Sequence, residues 1–330
     1  MTAEDVRRPS VSVVIPTYRH RDFVLATLDS VFAQTFTDYE VIVINDGSSD
    51  DTAELLRPLA VSGRIRYIEQ ANAGQATSRN RGIHEARGEF IALLDDDDLW
   101  PPDKLQWQVE ALRARSDVNV ACGWLDCIDG SGRPAPRFAA RGLDLPWLPP
   151  EQADTLYRAL TRRNQIVSPG QCLIRRSALA ALTGDPFDTR PALKGCDDWD
   201  LWLRLAEGGR FLFVNQLALR YRVHGGNASR DVFQMHRGMT ALYKKHLGRS
   251  RDDANRHRHL VAGYQAACTW AVHDLLAHIR QEAARGNVTG AVASAAFLAR
   301  TYTWAAAKRA PRALWHMAGR TARSARRWRR

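Results

Sequence analysis

The sequence predicts an α/β fold with a mostly parallel central sheet, helices on both faces, and a C-terminal helical extension. Between residues 10 and 128, short apolar runs alternate with helical patterns, a repeat typical of parallel sheets. Beyond about residue 229 the pattern is helical, with breaks expected near Gly286 and Pro311. A chain of 330 residues is long enough for one large domain, predicted at 1–230, and a helical, basic extension at 231–330.

Short runs of branched and aromatic residues predict the strands of this sheet. They lie at 11–15, 40–44, 64–68, 90–94 and 118–122, with helices predicted across 23–32, 52–59, 77–86 and 102–114. Further on, the sequence predicts a strand at 171–175, a helix at 197–207 and two strands at 211–214 and 218–223. The stretch 129–150 is rich in Gly, Pro and Arg and is interpreted as a loop or insertion.

A polar cluster follows each of the first four predicted strands. The clusters occupy 16–19, 45–50, 72–74 and 95–98. Each one alone is compatible with a simple turn or a loop before a helix. Because ligands bind beyond the carboxyl ends of strands in parallel sheets, the four together predict a ligand site at one edge.

Four consecutive aspartates, Asp95 to Asp98, form the most distinctive of these clusters. Like charges crowded behind a buried strand are costly unless a cation neutralises them, and Mg²⁺ or Mn²⁺ binds through one or two carboxylates plus substrate phosphates. The alternative is an acidic cap on a helix opened by Pro101 and Pro102, with the remaining charge solvated.

The composition excludes several classes of protein. The N-terminus lacks the apolar segment of a secretory signal, and no apolar run reaches the length of a membrane span, so a cytoplasmic location is expected. Five cysteines without C-x-x-C spacing argue against zinc and against a disulfide framework, and are interpreted as reduced packing residues.

The net charge of +11 is concentrated at the end of the chain. Residues 300–330 hold ten Arg or Lys and no acid, so the rest of the chain is near neutral. This placement favours an attachment segment over a nucleic-acid enzyme, and no nucleic acid is expected as a partner. With Trp315 and Trp328 among its arginines, the segment predicts peripheral association with an anionic membrane; a solvated or disordered tail is the alternative.

Six strings resemble, in the same order, the inverting family-2 glycosyltransferases of GT-A fold. They lie at 13–18, 41–50, 72–74 together with 78–82, 94–100, 197–204 and 221–227. The resemblance covers residues 10–230 and leaves the last hundred residues outside it. It implies a GT-A domain that binds a nucleotide-sugar donor.

The resemblance also implies a donor site. Pro16, Thr17 and Tyr18 match the segment that borders the base and ribose, and Asp46 matches the aspartate that accepts a hydrogen bond from the uracil imide. Thymine has the same imide, so the base stays open. Arg79 matches an arginine near the nucleotide, where its fork suits a phosphate.

The family's D-x-D motif falls on Asp95 and Asp97, of which Asp97 is implied to bind metal directly. Asp96 stands between them in place of the commoner small polar residue, and is grouped with Asp95 among the donor contacts. Metal ligands are expected to be Asp97, Asp95 and His224. His224 precedes two glycines after a strand, where a metal ligand or a structural histidine are both reasonable.

The resemblance assigns the catalytic base to Asp198, the second acid of a pair ahead of an aromatic. A base is needed because an acceptor hydroxyl is a poor nucleophile, and attack opposite the leaving group inverts the anomeric carbon. Asp197 stands where the family more often has glutamate, and both acids, with Asp200, are also compatible with helix capping.

The predicted function is therefore metal-dependent, inverting transfer of a sugar from a UDP-sugar to a hydroxyl of a glycan or lipid-linked acceptor. A dTDP- or GDP-sugar donor is kept as a variant. The alternatives are a sugar nucleotidyltransferase, which usually has a glycine-rich phosphate loop absent from 15–19, and a non-catalytic binding protein for nucleotide sugars or nucleic acid. Further candidates are Trp100, Trp199 and Trp202 for sugar stacking, although core packing is expected of Trp202 at least, and Gln171 and Arg175 for the acceptor side.

Overall fold

The structure is a computed structural model that describes residues 8–135, 153–227 and 231–309. Contacts divide the chain into two compact units, 1–244 and 245–330. The domain boundary at residue 230 stays a prediction. The end of the basic segment, from residue 310 on, lies outside the described residues.

The first unit is built on a seven-stranded sheet in the order β3-β2-β1-β4-β6-β5-β7. All its strand pairs are parallel except those of β6, which runs antiparallel to both β4 and β5. The strands are β1 Val11–Thr17, β2 Tyr39–Asn45, β3 Arg66–Glu69, β4 Phe90–Leu93, β5 Val118–Asp129, β6 Cys172–Arg175 and β7 Arg210–Val223. The predicted mostly parallel sheet is confirmed.

Helices alternate with these strands as the sequence predicts. They are α1 Val24–Phe32, α2 Thr52–Val61, α3 Gln75–Glu85, α4 Lys104–Ala114, α5 Ala153–Arg162, α6 Arg176–Ala180, α7 Asp197–Gly208 and α8 Val232–Arg249, which continues past the end of the first unit. One expectation is wrong: the two strands predicted at 211–214 and 218–223 are the single strand β7, which pairs with β5 through several register shifts.

The centre of the sheet is covered on both faces. Every residue of β1 and β4 is buried, as expected for parallel strands between two layers of helices. Helix α3 approaches β1 closely at Gly82, where an added Cβ would lie 2.2 Å from Cγ1 of Val14. This close approach positions the first turns of α3 beside the carboxyl ends of the strands.

The second unit contains α9 Ala254–Ala284 and α10 Val288–Arg309, which pack against each other. Gly286 separates them with a φ of +74°, a left-handed conformation that favours glycine and ends a helix. Within the described ranges, no helix is long and apolar enough to cross a membrane.

Each of the five cysteines lies in the described part of the chain. All are free and buried there, in positions that suit packing residues.

Candidate active site

The carboxyl ends of β1, β2 and β3 lie side by side, and this brings the first polar clusters together. Thr17 pairs with Asn45, which in turn pairs with Glu69. The backbone continues this register beyond the strands, because the Asp46 amide donates to the Thr17 carbonyl at 2.9 Å. The predicted edge is therefore formed by residues that directly follow these strands.

The aspartates 95–98, called here the acidic turn, do not cap a helix. Helix α4 begins at Lys104, six residues after the turn, and its capping position is Asp103. The capping alternative is therefore wrong. The turn is instead attached to β7, because Leu99 and Arg220 exchange backbone hydrogen bonds of 3.1 and 2.8 Å.

Asp98 is the structural member of the acidic turn. It is fully buried, and its Oδ1 accepts a 2.8 Å hydrogen bond from the Arg222 amide. The Arg222 guanidinium donates from Nε to the Asp97 carbonyl at 2.6 Å. Arg222 has no role in the sequence prediction, although it lies inside one of the family-like strings. Its contacts fix the turn against the end of β7.

Asp97 is paired with His224, the residue that follows β7 by one position. The Asp97 Oδ2 lies 2.9 Å from Nε2 of His224, and the Gly226 amide donates to Nδ1 of the same ring at 3.2 Å. Burial and the charges of Asp95 and Asp96 raise the pKa of Asp97 to about 6, against the opposing effect of His224. A cation here would relieve this repulsion.

Asp96 turns towards the loop after β1. It accepts hydrogen bonds from the Tyr18 amide at 3.2 Å and from Nδ1 of His20 at 2.7 Å. This bond, with the charges of the acidic turn, raises the pKa of His20 to about 9 despite partial burial. Sequence reasoning missed His20. The signal was present, because it comes directly after the first polar cluster.

Asp95 points to the opposite side, where it meets a buried arginine. Arg79 of α3 donates from NH2 to Asp95 Oδ1 at 2.5 Å and from NH1 to Asp197 Oδ2 at 3.3 Å. The two carboxylates raise the pKa of Arg79 even though its burial acts against this. Both ends of its fork are held by carboxylates, so a phosphate contact would come in addition to these bonds.

The segment before α7 is held against the same helix. Asn80 donates to the Phe187 carbonyl at 2.7 Å and accepts from the Phe187 amide at 2.8 Å. The Phe187 ring lies 5.1 Å from the Arg79 guanidinium carbon. Helix α3 thus connects the acidic turn with the chain that leads into α7.

Asp198 lies in the first turn of α7, next to Asp197. It is partly buried, and its Oδ1 accepts a 2.6 Å hydrogen bond from the Trp199 amide. Burial, then the charge of Asp197, raises the pKa of Asp198 to about 8; Arg79 opposes this, and Asp95 adds to it. Asp95 and Asp198 are therefore close enough to influence each other. Asp200 differs, because it is fully buried in a 3.0 Å ion pair with Arg204.

Asp46, which directly follows β2, is held by several hydrogen bonds. Its carboxylate accepts from the backbone amides of Ala73 and Gly74 and from the Gln70 side chain, at 2.7 to 2.9 Å. Pro16 and Thr17 are buried at the end of β1, whereas 41% of Tyr18 is exposed. The third polar cluster thus folds onto the second.

The remaining candidates have structural contacts. Trp100, Trp199 and Trp202 are buried, and the first two donate from their indoles to the backbone carbonyls of residues 170 and 160. Gln171 bonds backbone groups at both ends of its amide, and Arg175 bonds backbone carbonyls around the end of α4. These contacts favour packing roles over sugar or acceptor contacts.

A protein-family model matches the part of the chain that forms this edge of the sheet. The model described as glycosyl transferase family 2 matches residues 12–183, more than half of the chain. The chain belongs to glycosyl transferase family 2. It is therefore a glycosyltransferase, and the matched segment includes all of β1 but its first residue, Asp46, Arg79 and the acidic turn.

Sequence relatives of this glycosyltransferase include an uncharacterized glycosyltransferase of Rickettsia typhi, 28% identical over 247 residues, or 72% of each chain. The chondroitin synthase of Escherichia coli is 28% identical over 226 residues, which are 68% of this chain and 30% of that enzyme.

Two solved structures share the GT-A fold. Staphylococcus aureus TarS 1–349 in complex with UDP-GlcNAc aligns with a TM-score of 0.62 at 16% identity, over 90% of this chain and 83% of that one. The mannosyltransferase PcManGT of Pyrobaculum calidifontis, in complex with GDP-Man and Mn²⁺, gives 0.58 at 22% identity, over 91% and 84%.

Replacing Arg79 with methionine tests the link between the acidic turn and α7. The change leaves Asp95 and Asp197 without their shared cation, so we expect the protein to lose about 3 kcal/mol of stability, the low end for a broken buried ion pair. Thermal unfolding followed by calorimetry measures the loss.

Arg81→Met is the matched control, because Arg81 lies on the same helix, is exposed and only bonds Gln70. We expect its effect to stay within about 0.5 kcal/mol. Equal stability losses in the two variants would contradict a special role for Arg79.

Proposed function

We propose that this glycosyltransferase is metal-dependent and inverting, and that it transfers a hexosyl group from a UDP-sugar to a hydroxyl of a glycan or lipid-linked acceptor. The observation that carries the proposal is the pair of bonds from Arg79 to Asp95 and Asp197. Through it, the D-x-D segment and the candidate base, which follows Asp197 directly, belong to one charged site.

Asp198 is proposed as the catalytic base. Its role would be to take the proton of the acceptor hydroxyl as that oxygen attacks the anomeric carbon. A carboxyl with a pKa raised to about 8 is a stronger base than an ordinary aspartate once ionised. Its Oδ1 accepts from the Trp199 amide, which orients the carboxylate.

Asp97, His224 and Asp95 are proposed to hold a divalent cation, Mg²⁺ or Mn²⁺. The contact between Asp97 and His224 supports this, because a carboxylate and an imidazole meet where burial and like charges already raise the pKa of Asp97. Asp95 is bonded to Arg79 and would have to turn towards the ion. When bound, the ion would stabilise the charge that develops on the nucleoside diphosphate leaving group. The chain's own contribution is to keep Asp97 in place through Arg222 and His224.

Asp46 is proposed to accept the imide N–H of the donor base. Two backbone amides and Gln70 hold its carboxylate in one orientation, and such a fixed acceptor suits recognition of a planar base. Pro16, Thr17 and Tyr18 would border the base and ribose, while Asp96 orients the Tyr18 amide. The donor side is thus proposed for the β1, β2 and β3 ends.

The acceptor is proposed to be presented at a membrane. A lipid-linked acceptor resides at the inner face of the cell membrane, and the ten basic residues of 300–330 suit peripheral attachment to anionic lipid there. Of this segment only residues 300–309 are described, all within α10.

Calorimetric titration with UDP tests the donor proposal. We expect UDP to bind at least about tenfold more tightly with Mn²⁺ than without it, since an ion held by Asp97 and His224 would offset the negative charge of the diphosphate. GDP and dTDP serve as comparisons. Tight nucleic-acid binding together with metal-independent UDP binding would instead support the non-catalytic alternative.

Asp198→Asn tests the base. Its amide cannot accept the hydroxyl proton, so we expect kcat to fall by about 10²- to 10⁴-fold. The variant should also be at least as stable as the wild type at neutral pH. The pKa of Asp198 is raised in the folded protein, so the free energy of unfolding falls as pH rises above the pKa of an unfolded aspartate, and Asn removes this loss. Transfer rates and thermal unfolding measure the two effects.

Asp200→Asn is the control on the same helix. It breaks the buried pair with Arg204, so we expect a clear loss of stability, the reverse of the effect at Asp198. If Asp198→Asn transferred sugar at the wild-type rate, the base would have to be another group.

The rate of sugar transfer should also rise with pH. A base works only when ionised, so kcat at saturating donor is expected to rise with pH towards about 8 and then level off. Asp197→Asn removes a neighbouring negative charge and leaves Arg79 less neutralised, so the midpoint should move to lower pH. A flat profile from about pH 6 to about pH 9 would count against Asp198 as the titrating base.

A further inference from the structure

Two histidines and one aspartate from distant parts of the chain meet beside the acidic turn. His20 follows β1, Asp97 belongs to the acidic turn and His224 follows β7; one ligand atom from each lies within 4.8 Å of the others. The two imidazole rings are 5.7 Å apart and meet edge to face. Three donor groups at this separation can surround a single metal ion.

Each imidazole is fixed through its Nδ1. In His20 this atom bonds Asp96 Oδ1 at 2.7 Å, and in His224 it accepts from the Gly226 amide at 3.2 Å. In His20, Nε2 is therefore the nitrogen left for a metal, whereas Nε2 of His224 lies 2.9 Å from Asp97 Oδ2, and a metal would have to displace that hydrogen bond. A carboxylate on the other ring nitrogen is the usual partner of a histidine that binds metal, because it fixes the ring and increases its basicity.

Phe23 completes the support of both rings. Its ring lies 5.9 Å from that of His20 and 4.9 Å from that of His224. The Arg222 guanidinium carbon lies 4.9 Å from the same phenyl ring. Both imidazoles are thus packed against one aromatic side chain, that of the residue directly before α1.

We propose that His20 is a protein ligand of the divalent ion held by Asp97 and His224, and that Asp96 orients His20 and does not bind the metal itself. This inference rests on the metal dependence proposed above, and it adds His20 to the proposed metal ligands Asp97 and His224. Two imidazoles and a carboxylate favour Mn²⁺ or Co²⁺ over Mg²⁺, which prefers oxygen ligands. The site would therefore select among divalent ions.

The test is metal binding by the full-length, metal-free protein. Titration with Mn²⁺ alone, followed by the loss of the free-ion electron paramagnetic resonance signal, gives the affinity without any turnover. We expect His20→Gln to weaken Mn²⁺ binding at least about tenfold and to reduce the preference for Mn²⁺ over Mg²⁺. His84→Gln, an exposed histidine on α3, should change neither.

Pulsed electron paramagnetic resonance supplies a readout that a merely structural role would not change. We expect nitrogen couplings from two imidazoles in the wild-type Mn²⁺ complex and from one in His20→Gln. If His20→Gln folds poorly, His20→Ala with added imidazole replaces it, and recovery of Mn²⁺ affinity is the expected result.

The outcomes separate this inference from the proposed function. If Asp97→Asn abolishes Mn²⁺ binding while His20→Gln binds with wild-type affinity and couplings, His20 is not a ligand and metal dependence stands. If the wild-type protein binds no Mn²⁺ even with UDP present, the metal dependence and the role of His20 both fail.

Discussion

The repulsion among carboxylates collected at one edge of the sheet is the constraint on which the rest of the site depends. Each aspartate of the acidic turn is bonded to a different partner, which offsets part of this repulsion. Asp95 pairs with Arg79, Asp96 with His20, Asp97 with His224, and Asp98 with the Arg222 amide. These partners come from three regions of the chain, so their contacts also fix the relative positions of the loop after β1, α3 and the end of β7. The neutralisation is incomplete: the pKa of Asp97 stays raised to about 6, and burial with the charges of Asp97 and Asp95 raises the pKa of Asp98 well above its usual value. A cation beside Asp97 would relieve this repulsion.

The parallel sheet makes this concentration of charge possible. Parallel strands end at the same edge, so residues far apart in sequence meet without long connections. The antiparallel strand β6 changes the path of the chain after that: it leads away from this edge, and residues 176–196 return to it at the start of α7. Asp197 and Asp198 thus lie at the start of α7, a helix whose first turn favours negative charge, and Asp197 bonds Arg79 of α3. The acids of the turn and those of α7 approach from different directions and share Arg79.

Much of the fold could be predicted because local sequence patterns determine its strands and helices. Runs such as 11–15 and 90–94 are apolar throughout, and the helices between them have their own periodicity. Joining 211–214 and 218–223 into one strand required knowledge of its irregular pairing with β5. The roles within the acidic turn were harder, because four identical residues differ only in the direction each side chain takes. His20 and Arg222 were missed for a related reason: they meet Asp96 and Asp97 across 76 and 125 positions of sequence. The donor and base residues came from the family resemblance, and their roles remain proposals.

The double hydrogen bond between Asn80 and Phe187 has a consequence for how enzymes of this kind diverge. The segment 176–196 contacts α3 through these two hydrogen bonds. The ends of β1, β2 and β3 are joined to each other by separate contacts, such as the bond from the Ala73 amide to Asp46. Substitutions in this segment can therefore leave the strand ends unchanged, as long as the two hydrogen bonds between Asn80 and Phe187 are kept. Substitutions in 176–196 would therefore change the surroundings of the proposed base while leaving the residues proposed for the donor base in place.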